Sequence, residues 1–181
     1  MPGLPGRAVS RMTHRARRET FTRISTKRAH TGHYALMGLA SVPGSTSPSR
    51  AIWDLVMRAS KAWSNQDPEG MAACYEESAS LTINGGSPST GRVDLATTAK
   101  SYMVAFPDLS VSVDELRVAG DSAFWVWTLT GTNTGPGGTG KRVRVSGIEV
   151  WTIGHSGLVA NSIGYYDAAT YERQLAHGIE E

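Results

Sequence analysis

An α+β fold is predicted, with helices first and strands after them. Two observations carry this. Between residues 49 and 106 apolar positions recur at helical spacing, interrupted by one short β-like run. From residue 109 onward, β-branched and aromatic runs follow one another with only short Gly-rich turns between them. That order suits an antiparallel sheet and not a βαβ layout.

Ser49 is placed to cap a first helix running through Asn65, in which Ile52, Leu55, Val56, Ala59 and Trp63 form one apolar stripe. Asp67-Pro68 then restarts a helix, with Asp at the N-cap and Pro at the first helical position. This helix is expected to run through Met71 and Cys74-Tyr75. ASLTIN (79–84) reads as a short strand and GGSPSTG (85–91) as a loop. RVDLATTAKSYMVAF (92–106) is a third helix, stopped by Pro107. LSVSVDELRV (109–118) alternates toward period two, and SAFWVWTLTGTNTG (122–135) is the strongest strand signal in the chain. PGGTGK is a turn, RVRVSGIEVWTI (142–153) a long strand, GHSG a tight turn and LVANSIGYY (158–166) the last strand. AATYERQLAHG closes the chain as a short helix with Gly178 as its stop. A sheet curled around such a helix layer leaves a conical cavity lined by alternate residues of each strand.

The domain is expected over residues 49–181, preceded by a basic tail, 1–48. Residues 1–50 carry nine Lys/Arg and one acid, so the remainder sums to −6 although the whole chain is +2. A nucleic-acid reading would therefore rest on the tail alone, and no such partner is expected of the domain. The tail is Arg/Ser/Thr-rich. It reads as disordered or as sequence upstream of a true start at Met12 or Met37, with a transit peptide or a basic arm as the competing readings. SVPGSTSPS (41–49) is a linker by composition. The single cysteine, Cys74, excludes an internal disulfide and reads as a small buried residue in a helix. No apolar run is long enough to cross a membrane as a helix, and a cytoplasmic protein is expected.

The phrases FPDLSVSVDELRVAGDSAFWVWTLTGTNTG, GKRVRVSGIEVWTI and the final GYYD…QL resemble the SnoaL-like polyketide cyclases of the NTF2-like superfamily. The resemblance covers about residues 51–178. It implies a cone: a curved antiparallel or mixed sheet wrapped around about three helices and enclosing a cavity. It implies cofactor-free acid/base chemistry on a small apolar carbonyl compound. Non-catalytic binders and dimerisation modules of the same fold are the alternatives.

Two carboxylates are the candidate catalytic groups, Asp167 and Glu149. Buried in an apolar pocket, a carboxylate has a raised pKa and can serve as base and then as acid near neutral pH. The resemblance matches Asp167 to the acid/base of SnoaL-like cyclases, and Glu149 to an acid of steroid isomerases that donates to the enolate oxygen. Steroid isomerase chemistry itself is not expected, because Ile83 stands where those enzymes carry their base and Ala59 or a neighbour where they carry a helix tyrosine. By residue type, Asp167 is equally a good N-cap for the closing helix. Parity on the long strand sets Val143, Val145, Gly147, Glu149 and Trp151 apart from Arg142, Arg144, Ser146, Ile148 and Val150. Neither set is cleanly polar, so a bulge at Gly147 is expected to re-aim Glu149. On the last strand Asn161, Ile163, Tyr165 and Asp167 share one face, and Ser162, Gly164 and Tyr166 the other. Tyr165, Tyr166, Tyr75, Trp127, Trp151 and Asn84 are the candidate substrate-binding residues. No metal site and no cofactor are expected. The partners expected are a small apolar molecule in the cavity and a second copy of the chain.

Overall fold

The protein is described over residues 48–179 in a computed structural model, and the expectations placed on residues 1–47 lie outside it. The elements run α1 (Pro48–Ser64), α2 (Pro68–Ala72), β1 (Tyr75–Ile83), β2 (Ser89–Thr90), α3 (Gly91–Ala105), β3 (Ser110–Ala119), β4 (Ser122–Thr132), β5 (Arg142–Ile153), β6 (Val159–Tyr166) and α4 (Ala168–His177). The six strands form one curved open sheet in the order β2-β1-β6-β5-β4-β3. All neighbours are antiparallel except β1 and β6, so the sheet is mixed. This is the α+β class expected.

Most elements start where local chemistry says they should. Asp67 caps α2 by accepting from the Gly70 amide, with Pro68 at the first turn. Gly178, with φ +87°, ends α4. Three expectations need correction. α2 stops at Ala72, so Cys74, though buried, lies in the turn before the sheet and Tyr75 opens β1. The 85–91 loop is not wholly loop: Ser89 and Thr90 pair antiparallel with Leu81 and Ser80. The pairing of β5 runs unbroken through Gly147 on both sides. The expected bulge there is absent, and the irregularities fall at Thr152/Ile153, at Val113/Glu115 in β3 and between Tyr75 and Ser80 in β1.

Without that bulge, β5 alternates cleanly. Val143, Val145, Glu149 and Trp151 are buried, while Arg142, Arg144, Ser146 and Ile148 are exposed. The first set faces the helices. There Trp151 joins the α1 stripe (Ile52, Leu55, Val56, Ala59) and Leu95, Ala99 and Met103 of α3 in one core cluster, while Val143 packs with Phe106 and Leu109 in a second. Burying a side chain such as Leu55 is worth about 2 kcal/mol, and this shared interior holds helices and sheet together. α1 also covers the sheet edge. Ser60 Oγ donates to the Val111 carbonyl (2.7 Å), and the Val111 amide donates to Ser64 Oγ (2.9 Å). Among the described residues no helix is long and apolar enough to cross a membrane.

Candidate active site

Register places the inward side chains in rows across the sheet. Trp127, Gly147 and Tyr166 form one row, Trp125, Glu149 and Gly164 the next, and Ala123, Trp151 and Ser162 the third. Over the first two rows lies a cavity of about 80 Å³. Trp63 and Tyr102 close it from α1 and α3, Tyr171 from α4, and Tyr75, Leu81 and Ile83 from β1. Val111, Leu129 and Val145 complete its wall. Seven of the fourteen lining residues are aromatic, and Glu149 carries the only carboxyl group among them. Ile83 is part of the apolar wall.

Two glycines make this arrangement fit. A Cβ on Gly147 would collide with the indole ring of Trp127, so the missing side chain lets that ring lie across the strand. A Cβ on Gly164 would lie 2.7 Å from Glu149 Oε2, so the glycine leaves room for the carboxyl group.

Glu149 is buried, and Ser162 Oγ donates a short hydrogen bond to its Oε1. Burial pushes its pKa up to about 7, against the opposing effect of hydrogen bonds from Ser162 and the Trp127 indole, which favour the charged form. The Tyr75 hydroxyl is raised too, first by burial and then by the charge of Glu149 beside it. At the more exposed end of the cavity, Tyr102, Tyr166 and Tyr171 cluster. The Tyr166 and Tyr171 rings meet edge-on at 5.5 Å, and Tyr102 hydrogen-bonds with Tyr166. Burial, then contact with Tyr166, raises the Tyr102 hydroxyl.

Of the residues singled out from sequence, Glu149, Tyr75, Tyr166 and Trp127 come together here, and four do not line the cavity. Trp151 points inward one row deeper. It is wholly buried behind Tyr75 (5.9 Å) and Trp125 (5.3 Å), as support for the cavity wall. Tyr165 pairs with Ile148 on the opposite face and is exposed. Asn84 adopts a left-handed turn (φ +50°), where its Oδ1 accepts from the Tyr166 amide and holds the end of β6 in place.

Asp167 is not brought into a shared pocket with Glu149. Gly164 pairs with Glu149, and Asp167 lies an odd number of residues beyond Gly164, on the other face and past the strand end. Its carboxylate instead caps α4, accepting from the Thr170 hydroxyl (2.7 Å) and amide (3.1 Å) in full contact with solvent. Those bonds, the hydroxyl's first, hold its pKa below the usual carboxylate range. Asp167→Asn, which keeps an N-cap, is expected to leave turnover within about twofold and the melting temperature nearly unchanged. Asp167→Ala should lower the melting temperature while turnover persists. Parallel thermal melts and rate assays check both.

Sequence reasoning passed over Ser162, Gly164, Trp63, Tyr102 and Tyr171 as site residues. For the first two a signal existed, since they share a strand face with Tyr166. Tyr171 stands four residues before Leu175, a helical apolar pair that packs inward. Nothing in the local pattern marks Tyr102.

The profile of the SnoaL-like polyketide cyclase family matches residues 54–175, the span that builds both sheet and cavity. The chain belongs to this family. The structure is similar to that of a putative SnoaL-like polyketide cyclase from Jannaschia sp. CCS1 (TM-score 0.64, 18% identity, covering 78% of this chain and 100% of that one). It is also similar to TsrD from Streptomyces laurentii (TM-score 0.62, 25% identity, 69% and 94%). A third similar structure is a hypothetical protein of ketosteroid isomerase-like fold from Catenulispora acidiphila, in complex with trimethylamine (TM-score 0.61, 14% identity, 68% and 92%). No curated protein matches the sequence. The NTF2-like, ketosteroid isomerase-like cone expected from the sequence is the fold of this SnoaL-like protein.

Proposed function

We propose that this SnoaL-like protein is a cofactor-free enzyme of the cyclase or isomerase type, using Glu149 to move a proton on a small apolar carbonyl substrate. The observation that carries this reading is a buried carboxyl group facing an aromatic cavity, with a pKa near 7. A carboxyl group raised this far above the ordinary carboxylate range can both take and return a proton near neutral pH. In the step proposed, a Glu149 carboxylate oxygen takes a proton from the carbon next to the carbonyl. The C–H bonding pair becomes the C=C bond of an enolate as the carbonyl π pair moves onto its oxygen, which accepts a hydrogen bond from Tyr75. The proton then returns to a different carbon, or to the alkoxide formed when the enolate carbon attacks a second carbonyl. Ser162 steadies the charged form of Glu149 between these events. The test is deuterium incorporation next to the carbonyl of small methyl ketones in D₂O, followed by NMR. Exchange by the wild type that is absent in Glu149→Gln supports the reading, and equal exchange by both overturns it.

The reading includes a homodimer formed on the outer face of the sheet. Phe124, Val150 and Ile163 form one apolar cross-strand row there, and Val126, Ile148 and Tyr165 the next. Phe124, Ile148 and Tyr165 are exposed. A contiguous apolar patch of this kind marks an association surface. Light scattering is expected to give the mass of two chains, and Ile148→Lys the mass of one with an unchanged melting profile at low concentration. A wild-type monomer would remove the dimer.

A further inference from the structure

The cavity is small, and its polar groups sit at two ends. At about 80 Å³ it is below the roughly 150 Å³ of a cavity that binds benzene, so it has room for no more than about a single ring. At the inner end stand Glu149 and Tyr75; at the more exposed end, the hydroxyls of Tyr102, Tyr166 and Tyr171. The rows carrying Glu149 and Tyr166 are one same-face step apart, about 7 Å along the strands. Between them the walls are aromatic, with Trp127 spanning the step across Gly147.

We infer that the substrate of this site is a single-ring compound, or one of equal bulk, with a carbonyl at the Glu149 end and a second oxygen hydrogen-bonded by the tyrosine cluster. This rests on the cavity being the substrate site, as proposed above. It excludes fused polycyclic substrates, which a space of this size does not hold. It also gives the tyrosines a task distinct from proton transfer: they select for the second oxygen and fix which end enters first.

The test is equilibrium binding to the full-length wild-type protein, read by tryptophan fluorescence and calorimetry, with three probes. These are 4-hydroxyacetophenone (one ring, two oxygens), acetophenone (one ring, one oxygen) and anthrone (three fused rings). The expected result is that 4-hydroxyacetophenone binds roughly tenfold tighter than acetophenone, the worth of one well-made hydrogen bond, and that anthrone does not bind. Tyr166→Phe and Tyr102→Phe, each confirmed folded by its melting profile, should bring the two single-ring ketones to within about twofold of each other. Anthrone binding as tightly as the single-ring probes, a preference that survives in both variants, or no binding by any probe overturns the inference. Proton exchange is read separately on the same ketones. Binding as expected with no exchange would sink the acid/base reading and leave the two-ended cavity standing.

Discussion

Glu149→Gln is expected to lower the rate of proton exchange by about 10³-fold, in the range general-base catalysis supplies, while making the folded protein more stable at pH 8. The two effects share a cause. Burial lifts the Glu149 pKa from 4.5 to about 7, so the folded protein holds this proton more tightly than the unfolded chain does. Between those values the folded state binds more protons, and stability falls as pH rises. Below about pH 4.5 the group costs nothing, and above pH 7 its full cost of about 3 kcal/mol is present. Glutamine, a near-isostere without the charge, removes that cost. The melting temperature at pH 8 should rise by about 10 °C, and the difference from wild type should vanish at pH 4. The wild-type kcat/KM should climb through pH 7 as Glu149 ionises, and in Ser162→Ala this limb should move to higher pH, because the lost hydrogen bond favoured the charged form. A variant that loses activity without gaining stability at pH 8 would mean that Glu149 is not buried as a costly charge.

The stability cost follows from the fold. An acid on an inward strand position of a cone is desolvated by the same wall that excludes water from the reaction. Alternation decides that position, and alternation was legible along most of the chain. RVRVSGIEVWTI has its true face assignments in sequence, and β5 keeps them. What misled was that Ile148 and Val150 share a set with Arg142 and Arg144, so that neither face read as cleanly polar and a bulge at Gly147 was expected. Ile148 and Val150 face outward because the outer face carries its own apolar patch, and no bulge at Gly147 is needed. One of the sheet's actual irregularities was written in VSVDELRV. Two acids in succession break the period of two, Asp114 and Glu115 are both exposed, and Leu116 and Val118 resume the inward set.

Asp167 shows the opposite failure. Its residue type suited both a cap and an acid, and only pairing register separates the two. A strand's own sequence says which residues share a face, not which of its two faces meets the partner's acid. Once Gly164 is known to oppose Glu149, Asp167 must lie on the far side. Tyr102 was beyond reach for another reason. The apolar residues of α3 do not fall on one sharp stripe, so no helical face stands out as cavity-lining, and its placement depends on how α3 lies on β1.

Gly164→Ala is expected to lower turnover by about 10²-fold with little loss of stability, the cost of a catalytic group displaced by about an ångström. The added methyl would lie 2.7 Å from Glu149 Oε2 and 3.2 Å from its Cδ, too close for either to stay. The clash is with the free end of a flexible side chain, not with backbone, and at Gly164 the left-handed region is not required. The chain can therefore accept alanine by swinging the carboxyl group aside. That movement breaks the hydrogen bond from Ser162 and takes the oxygen away from the substrate carbon, so kcat falls while binding at the tyrosine end holds KM nearly constant. A crystal structure of the variant should show Glu149 in a new rotamer, and Gly164→Ala combined with Glu149→Gln should be no slower than Glu149→Gln alone. If the two losses multiply instead, Gly164 matters for something other than the placement of Glu149.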